Sequence, residues 1–141
     1  MQRKATAVWS GDLKSGSGVL TAPSGVLKQT PYSFKTRFEE EPGTNPEELI
    51  AAAHAGCFAM ALSLQLASAG MKPERLEATA TVTLEKLESG FSITKSHLDL
   101  VAKVPGASAE AFEAAAQGAK AGCPVSKLLK AEITLSTKLE P

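Results

Sequence analysis

Thr44-Asn45-Pro46-Glu47-Glu48-Leu49-Ile50-Ala51-Ala52-Ala53-His54-Ala55-Gly56-Cys57-Phe58 opens as a helix start and runs into a segment without charge. Asn45 is an N-cap residue type, Pro46 suits the first helical position, and Glu47 and Glu48 put acids where the helix dipole favours them. Glu48 also stands three residues after Asn45, in the manner of a capping box. From Leu49 to Met71 there is no Asp, Glu, Lys or Arg, and Gly70 and Pro73 bracket the far end. A helix is predicted from about Pro46 to Ala69. Its length would suit a membrane span, but abundant alanine with His54, Ser63, Gln65 and Ser68 gives it modest apolar strength. A helix buried on most sides inside protein is the stronger reading.

Around this helix the pattern is of strands. Short strands are predicted near Ala5–Trp9, Gly18–Thr21 and Tyr32–Phe38, with turn material such as Ser15-Gly16-Ser17-Gly18 between them. Beyond the helix, Ala78-Thr79-Ala80-Thr81-Val82-Thr83-Leu84 alternates strictly between apolar and Thr faces, and Glu88-Ser89-Gly90 reads as a turn. The next strand has apolar residues on odd positions at Phe91 and Ile93 but on even ones at Leu98 and Leu100, which predicts a bulge near Lys95–His97. A second helix starts near Ser108 with Phe112, Ala115, Ala116 and Ala119 on one face. A helical turn follows Cys123-Pro124, and Ile133, Leu135, Thr137 and Leu139 alternate along a final strand. The class is α+β, read as a single domain over 1–141 with N-terminal strands (1–40), a central helix (46–70) and a C-terminal part (77–141).

The chain has 141 residues, and 15 Lys+Arg balance 15 Asp+Glu, so neither a basic field for nucleic acid nor an acidic tail is implied. An aromatic content of 5% is low for stacking on bases. In MQRKATAVWSGD no continuous apolar run follows the basic residues, so no secretory signal is expected and the cytoplasm is the default compartment. The 2 cysteines cannot build a disulfide framework, and in a reducing cytosol any bond between them would be transient.

Several side chains carry possible chemistry, each beside a plainer role. Cys57, inside the charge-free helix, reads first as a small buried hydrophobe. Cys123, in Gly122-Cys123-Pro124-Val125-Ser126, sits at a helix start, where unpaired N–H groups stabilise a thiolate. Arg37 precedes Glu39, Glu40 and Glu41, so a surface ion pair is its default. Glu47 has its capping role. His54 shares a helix face with Cys57 and offers a base, or half of a zinc pair that Cys123 and His97 would have to complete without recognisable spacing. His97 otherwise reads as a solvated strand residue.

Two of these stretches match a family. TNPEEL followed by AAHA-x-CF, residues 44–58, resembles the helix signature of the OsmC/Ohr peroxidases, and Ala119 with Cys123-Pro124-Val125-Ser126 resembles their second-cysteine motif, AxxxCPVS. The resemblance extends over essentially the whole chain, including Ser24-Gly25-Val26-Leu27, Pro31-Tyr32 and Ala131-Glu132-Ile133-Thr134-Leu135. His54 and the placement of Arg37 favour the OsmC branch. The resemblance implies an intertwined homodimer, with two long central helices between curved antiparallel sheets and active sites at the subunit interface. It implies that Cys57 attacks an organic hydroperoxide, that Cys123 resolves the sulfenic acid to a disulfide, and that Arg37 and Glu47 hold the thiolate. The resemblance also implies an external thiol or dihydrolipoyl group, such as a lipoylated protein reductant, as the electron donor, with no metal, haem or flavin.

The spacing adds a geometric expectation. Glu47 and Cys57 stand ten positions apart on one helix, roughly 15 Å along its axis. If two copies cross antiparallel near residue 52, where Ala51, Ala52, Ala53, Ala55 and Gly56 allow close approach, Glu47 of one copy nears Cys57 of the other. Phe58, Met60, Phe34, Leu49 and Ile50 are candidates for an apolar funnel. Two other classes compete: a non-catalytic binding or structural dimer with cysteines as packing residues, and a cysteine hydrolase pairing Cys57 with His54, which lacks an evident oxyanion hole.

Overall fold

The computed structural model describes residues 1–141. The chain packs as two compact units, Met1–Leu49 and Ile50–Pro141. The boundary falls inside the long helix, at no linker.

The N-terminal unit is a three-stranded antiparallel meander, β1 (Thr6–Ser10), β2 (Ser17–Thr21) and β3 (Thr30–Ser33), followed by a short helix α1 (Phe34–Phe38). Asp12 closes the first turn, its Oδ1 accepting from Lys14 N at 2.9 Å and Ser15 N at 3.0 Å. Gly18 is buried where Trp9 and Tyr32 converge from the neighbouring strands, their ring centroids 5.4 Å apart. A Cβ there would lie 2.5 Å from Tyr32 Cε1 and 2.7 Å from Trp9 Cε3, so this position requires glycine. The strand expected over Tyr32–Phe38 stops at Ser33. The Ser33 hydroxyl accepts from Thr36 N and the Thr36 hydroxyl accepts from Ser33 N, a reciprocal cap that turns the chain into α1 despite its strand-like aromatics.

Helix α2 spans Pro46–Ser68 and starts as its sequence dictates, with Glu48 N donating to Asn45 Oδ1 at 2.8 Å. By length and composition it could cross a membrane, but in the C-terminal unit its stripe of His54, Phe58, Leu62 and Leu66 enters the core. It is not buried on most sides, as its composition suggested: Met60 is 77% and Leu64 67% exposed, on the side away from that stripe. One chain supplies packing partners for a single face of this helix.

Strands β4 (Arg75–Leu87) and β5 (Gly90–Lys103) form a long hairpin turned at Glu88-Ser89-Gly90, where Gly90 takes φ +116°. The register slips where Thr83 faces Lys95 and Leu84 faces Ile93, so Thr94 is the extra residue, just ahead of the predicted bulge. The slip brings Ser96, Leu98, Leu100 and Ala102 to the buried face. Helix α3 (Ala109–Gly122), capped by Ser108, lays Phe112, Ala115, Ala116 and Ala119 on that core. Helix α4 (Pro124–Leu128) follows, and β6 (Glu132–Glu140) returns beside β5. β5 and β6 run parallel, which corrects the expectation of wholly antiparallel sheets: side-chain alternation is the same in both arrangements. Parallel strands need a crossover, and α3 with α4 provides it. The class is α+β, as read from the sequence.

Candidate active site

Cys57 projects from the fourth turn of α2, and Cys123 forms the joint between α3 and α4, ending one helix and starting the next. The sulfurs are 66 positions apart in sequence and 2.8 Å apart in space, both as free thiols. Cys123 is fully buried, whereas Cys57 remains half-buried in the single chain.

Their acidities diverge. Burial raises Cys57 above the ordinary thiol value, its contact with Cys123 raises it further, and the Val125 backbone bond offsets only part. Burial also works against ionising Cys123, but hydrogen bonds from Cys57, from the backbone of Ser126 and Val125 and from the Ser126 hydroxyl together hold it below that value. When this pair loses one proton, the contacts at the α4 start favour the charge on Cys123. All these contributions come from burial, from Cys57 and from residues 123–126.

The N-terminal unit presents the second pair. Arg37 Nε donates to both Glu47 carboxylate oxygens at 3.2 Å, and Nη2 donates to Oε1 at 2.7 Å. This forked contact fixes the guanidinium plane. Arg37 is thus held by Glu47 and not by the run Glu39–Glu41, and its cation lies 5.2 Å from the centroid of the Phe38 ring. Thr44 and Asn45 secure the base of the pair: the Thr44 hydroxyl donates to Glu48 at 2.9 Å and Asn45 Nδ2 donates to Thr36 O at 3.1 Å. Trp9, Leu13, Tyr32, Phe34, Phe38 and Arg37 line an apolar cleft in this unit. Of the residues expected to form a funnel, Phe34 lines the cleft, while Phe58 is wholly buried in the core of the other unit and Met60 is exposed.

His54 is fully buried and spends both ring nitrogens on serines, Nδ1 on Ser96 Oγ at 2.6 Å and Nε2 on Ser126 Oγ at 2.8 Å. Burial depresses its pKa below the usual histidine value. The imidazole is therefore engaged neither as the partner of Cys57 in a hydrolase pair nor as half of a zinc pair. His97 bonds Thr134, Ser136 and Asp99 around the outer face of the sheet. Ser96 and Ser126 were not singled out from the sequence. The signal for Ser96 was available, because the even phase of Leu98 and Leu100 carries a hydroxyl inward two residues earlier.

The OsmC-like protein family model matches residues 38–138. This chain belongs to the OsmC family. It is 55% identical over 140 residues to peroxiredoxin OsmC of Escherichia coli (strain K12), covering 99% of this chain and 98% of that protein. Organic hydroperoxide resistance protein OhrA of Bacillus subtilis (strain 168) is 37% identical over 99 residues, covering 70% of this chain and 69% of that protein. Among solved structures, organic hydroperoxide resistance protein OhrB of Bacillus subtilis superposes with a TM-score of 0.68 at 26% identity, over 97% of this chain and 98% of that one. An OsmC-like protein from Vibrio cholerae reaches a TM-score of 0.78 at 18% identity, over 98% and 99% of the two chains, a likeness of OsmC fold alone.

Proposed function

We propose that this OsmC-family chain is a cysteine-based peroxidase that reduces organic hydroperoxides, and hydrogen peroxide more slowly, to alcohol or water. The observation that carries the reading is the pair of free thiols at 2.8 Å, with Cys123 shifted toward the thiolate and Cys57 away from it. Ionised Cys57 attacks one peroxide oxygen, the O–O bond breaks, and the alkoxide leaves to become an alcohol. Cys57 is then a sulfenic acid. The Cys123 thiolate attacks its sulfur, expels hydroxide and closes a disulfide. An external thiol or a dihydrolipoyl group on a protein reductant restores both thiols, so the cycle uses no resident metal or cofactor. A reducing cytoplasm is the compartment that fits this cycle.

Arg37 stabilises the Cys57 thiolate and the departing alkoxide, and Glu47 orients Arg37. In the thiol pair of one chain Cys57 is the less acidic sulfur, so its ionisation calls for a cation from beyond residues 123–126. A homodimer answers that need. Glu47 and Cys57 lie ten residues apart on α2, about 15 Å along its axis, and antiparallel crossing of two such helices brings Glu47 and Arg37 of one copy to the thiols of the other. With the crossing near residue 52, Met60 and Leu64 on the open side of α2 fall opposite the segment just ahead of α2 in the other copy, which would cover them.

Stopped-flow consumption of cumene hydroperoxide by the wild type, Cys57→Ser and Cys123→Ser tests the reading. Cys57→Ser is expected to lose turnover entirely, and Cys123→Ser to complete one turnover and then overoxidise at Cys57. Undiminished turnover by Cys57→Ser would sink the proposal.

A further inference from the structure

A chain of hydrogen bonds runs from the core to the second thiol. Ser96 Oγ bonds His54 Nδ1 at 2.6 Å and His54 Nε2 bonds Ser126 Oγ at 2.8 Å; Ser126 is the third residue of α4, whose N-cap is Cys123, and its hydroxyl helps lower the Cys123 pKa. Ser96, His54 and Cys123 are each 0% exposed, so bulk water does not interrupt this chain at those residues. Ser96 belongs to β5, His54 to α2 and Ser126 to α4, so three elements converge to build it.

Proton counting fixes its direction. A serine hydroxyl has one proton to give, and a neutral imidazole has one N–H and one acceptor nitrogen. When Cys123 is a thiolate it only accepts, so the Ser126 hydroxyl donates to sulfur. The Ser126 oxygen must then accept from His54, which puts the imidazole proton on Nε2 and leaves Nδ1 to accept from Ser96. When Cys123 holds its proton or is bonded to Cys57, the Ser126 hydroxyl is free to donate to Nε2, and the imidazole proton moves to Nδ1. The chain has two ordered arrangements, and the state of Cys123 selects between them.

We infer that Ser126, His54 and Ser96 form a proton relay for the resolving step, taking the proton from Cys123 and returning it to the hydroxide expelled from Cys57. The inference rests on the peroxidase reading above. The Cys123 S–H proton passes through the Ser126 hydroxyl to His54 Nε2, giving thiolate and imidazolium. The thiolate attacks the Cys57 sulfenic sulfur. The S–S bond forms, the S–O bond breaks, the Cys123 sulfur is oxidised and the Cys57 sulfur reduced, and hydroxide departs with the bonding pair. The imidazolium proton returns through Ser126 to make water, and His54 is neutral again. The buried imidazole is a reluctant proton holder, which favours return over storage. Ser126 is the relay member next to the reacting sulfur, one turn along α4 from Cys123; His54 and Ser96 are positioning residues that act through it.

The test uses pre-reduced full-length protein, cumene hydroperoxide and rapid acid quench, following sulfenic acid by dimedone trapping and disulfide by mass. In Ser126→Ala, disulfide closure is expected to slow at least about tenfold more than Cys57 oxidation does, and Ser126→Thr, which keeps a hydroxyl, restores closure. Equal slowing of both steps, no slowing, or failure of Thr to rescue overturns the relay while leaving the peroxidase reading intact. A wild type that forms no sulfenic acid overturns that reading instead. Long-range 1H–15N spectra of the wild type need no variant to fold: the His54 proton is expected on Nε2 in the reduced thiolate form and on Nδ1 in the disulfide form. One tautomer in both redox states overturns the relay.

Discussion

Replacing Met60 and Leu64 together by glutamate tests the proposed pairing at its apolar surface. These side chains are 77% and 67% exposed in the single chain, so most of their apolar area is still available for burial. Complete burial of a Leu or Met side chain is worth about 1.5–3 kcal/mol. Two such residues in each of two copies, scaled by the exposure that remains, contribute at most about 4–8 kcal/mol to association. Their loss weakens the dimer by up to about three to six powers of ten in Kd. Glutamate is well tolerated on an exposed helix face, so far-ultraviolet circular dichroism is expected to keep its helical signal. Sedimentation equilibrium at low micromolar concentration reads the mass, and peroxide turnover is expected to fall with the dimer. A Met60→Glu/Leu64→Glu protein that stays dimeric and fully active would refute this reasoning.

Arg37→Lys keeps the charge but loses the fork on Glu47, so kcat/KM for cumene hydroperoxide is expected to drop about 10- to 100-fold; an unchanged value would remove Arg37 from the mechanism. Because burial depresses the His54 pKa, the unfolded chain takes up a proton below pH about 6.5 while the native chain does not. Stability is therefore complete above that value and falls as the pH drops toward the native pKa, by at most about 1.4 kcal/mol per pH unit. Urea denaturation between pH 7.5 and 5.5 is expected to show this slope in the wild type and not in His54→Gln. Gly18→Ala drives a methyl into Tyr32 and Trp9 and is expected to destabilise the chain by about 1–3 kcal/mol, with a shifted Trp9 fluorescence maximum; an unperturbed spectrum and midpoint would contradict the packing described.

Local chemistry made much of this fold legible. Asn45, Pro46 and two glutamates announce α2 because capping is decided by adjacent residues, and the α3 face is readable because Phe112, Ala115, Ala116 and Ala119 repeat at helical spacing. α1 was misread because aromatic residues suit strands, while the deciding Ser33–Thr36 exchange depends on a backbone angle at one residue. The parallel partner of β5 was not readable, since β6 carries the same alternation for either direction. At the site, each cysteine was visible alone, but their contact depends on a crossover of two helices. The Arg37–Glu47 pair rested on family resemblance, because three nearer glutamates offered the same charge.

The parallel placement of β6 also bears on when the thiols meet during folding. The β4–β5 hairpin closes over a two-residue turn, whereas pairing Lys95 with Glu132 joins residues 37 positions apart. Thr137 on β6 donates to Glu113 on α3 at 2.6 Å, so the last strand also ties down the crossover that carries Cys123. Non-local pairing is slow, and here it follows the local closure of the β4–β5 hairpin. The two sulfurs, brought together by the crossover between β5 and β6, are therefore expected to meet late in folding.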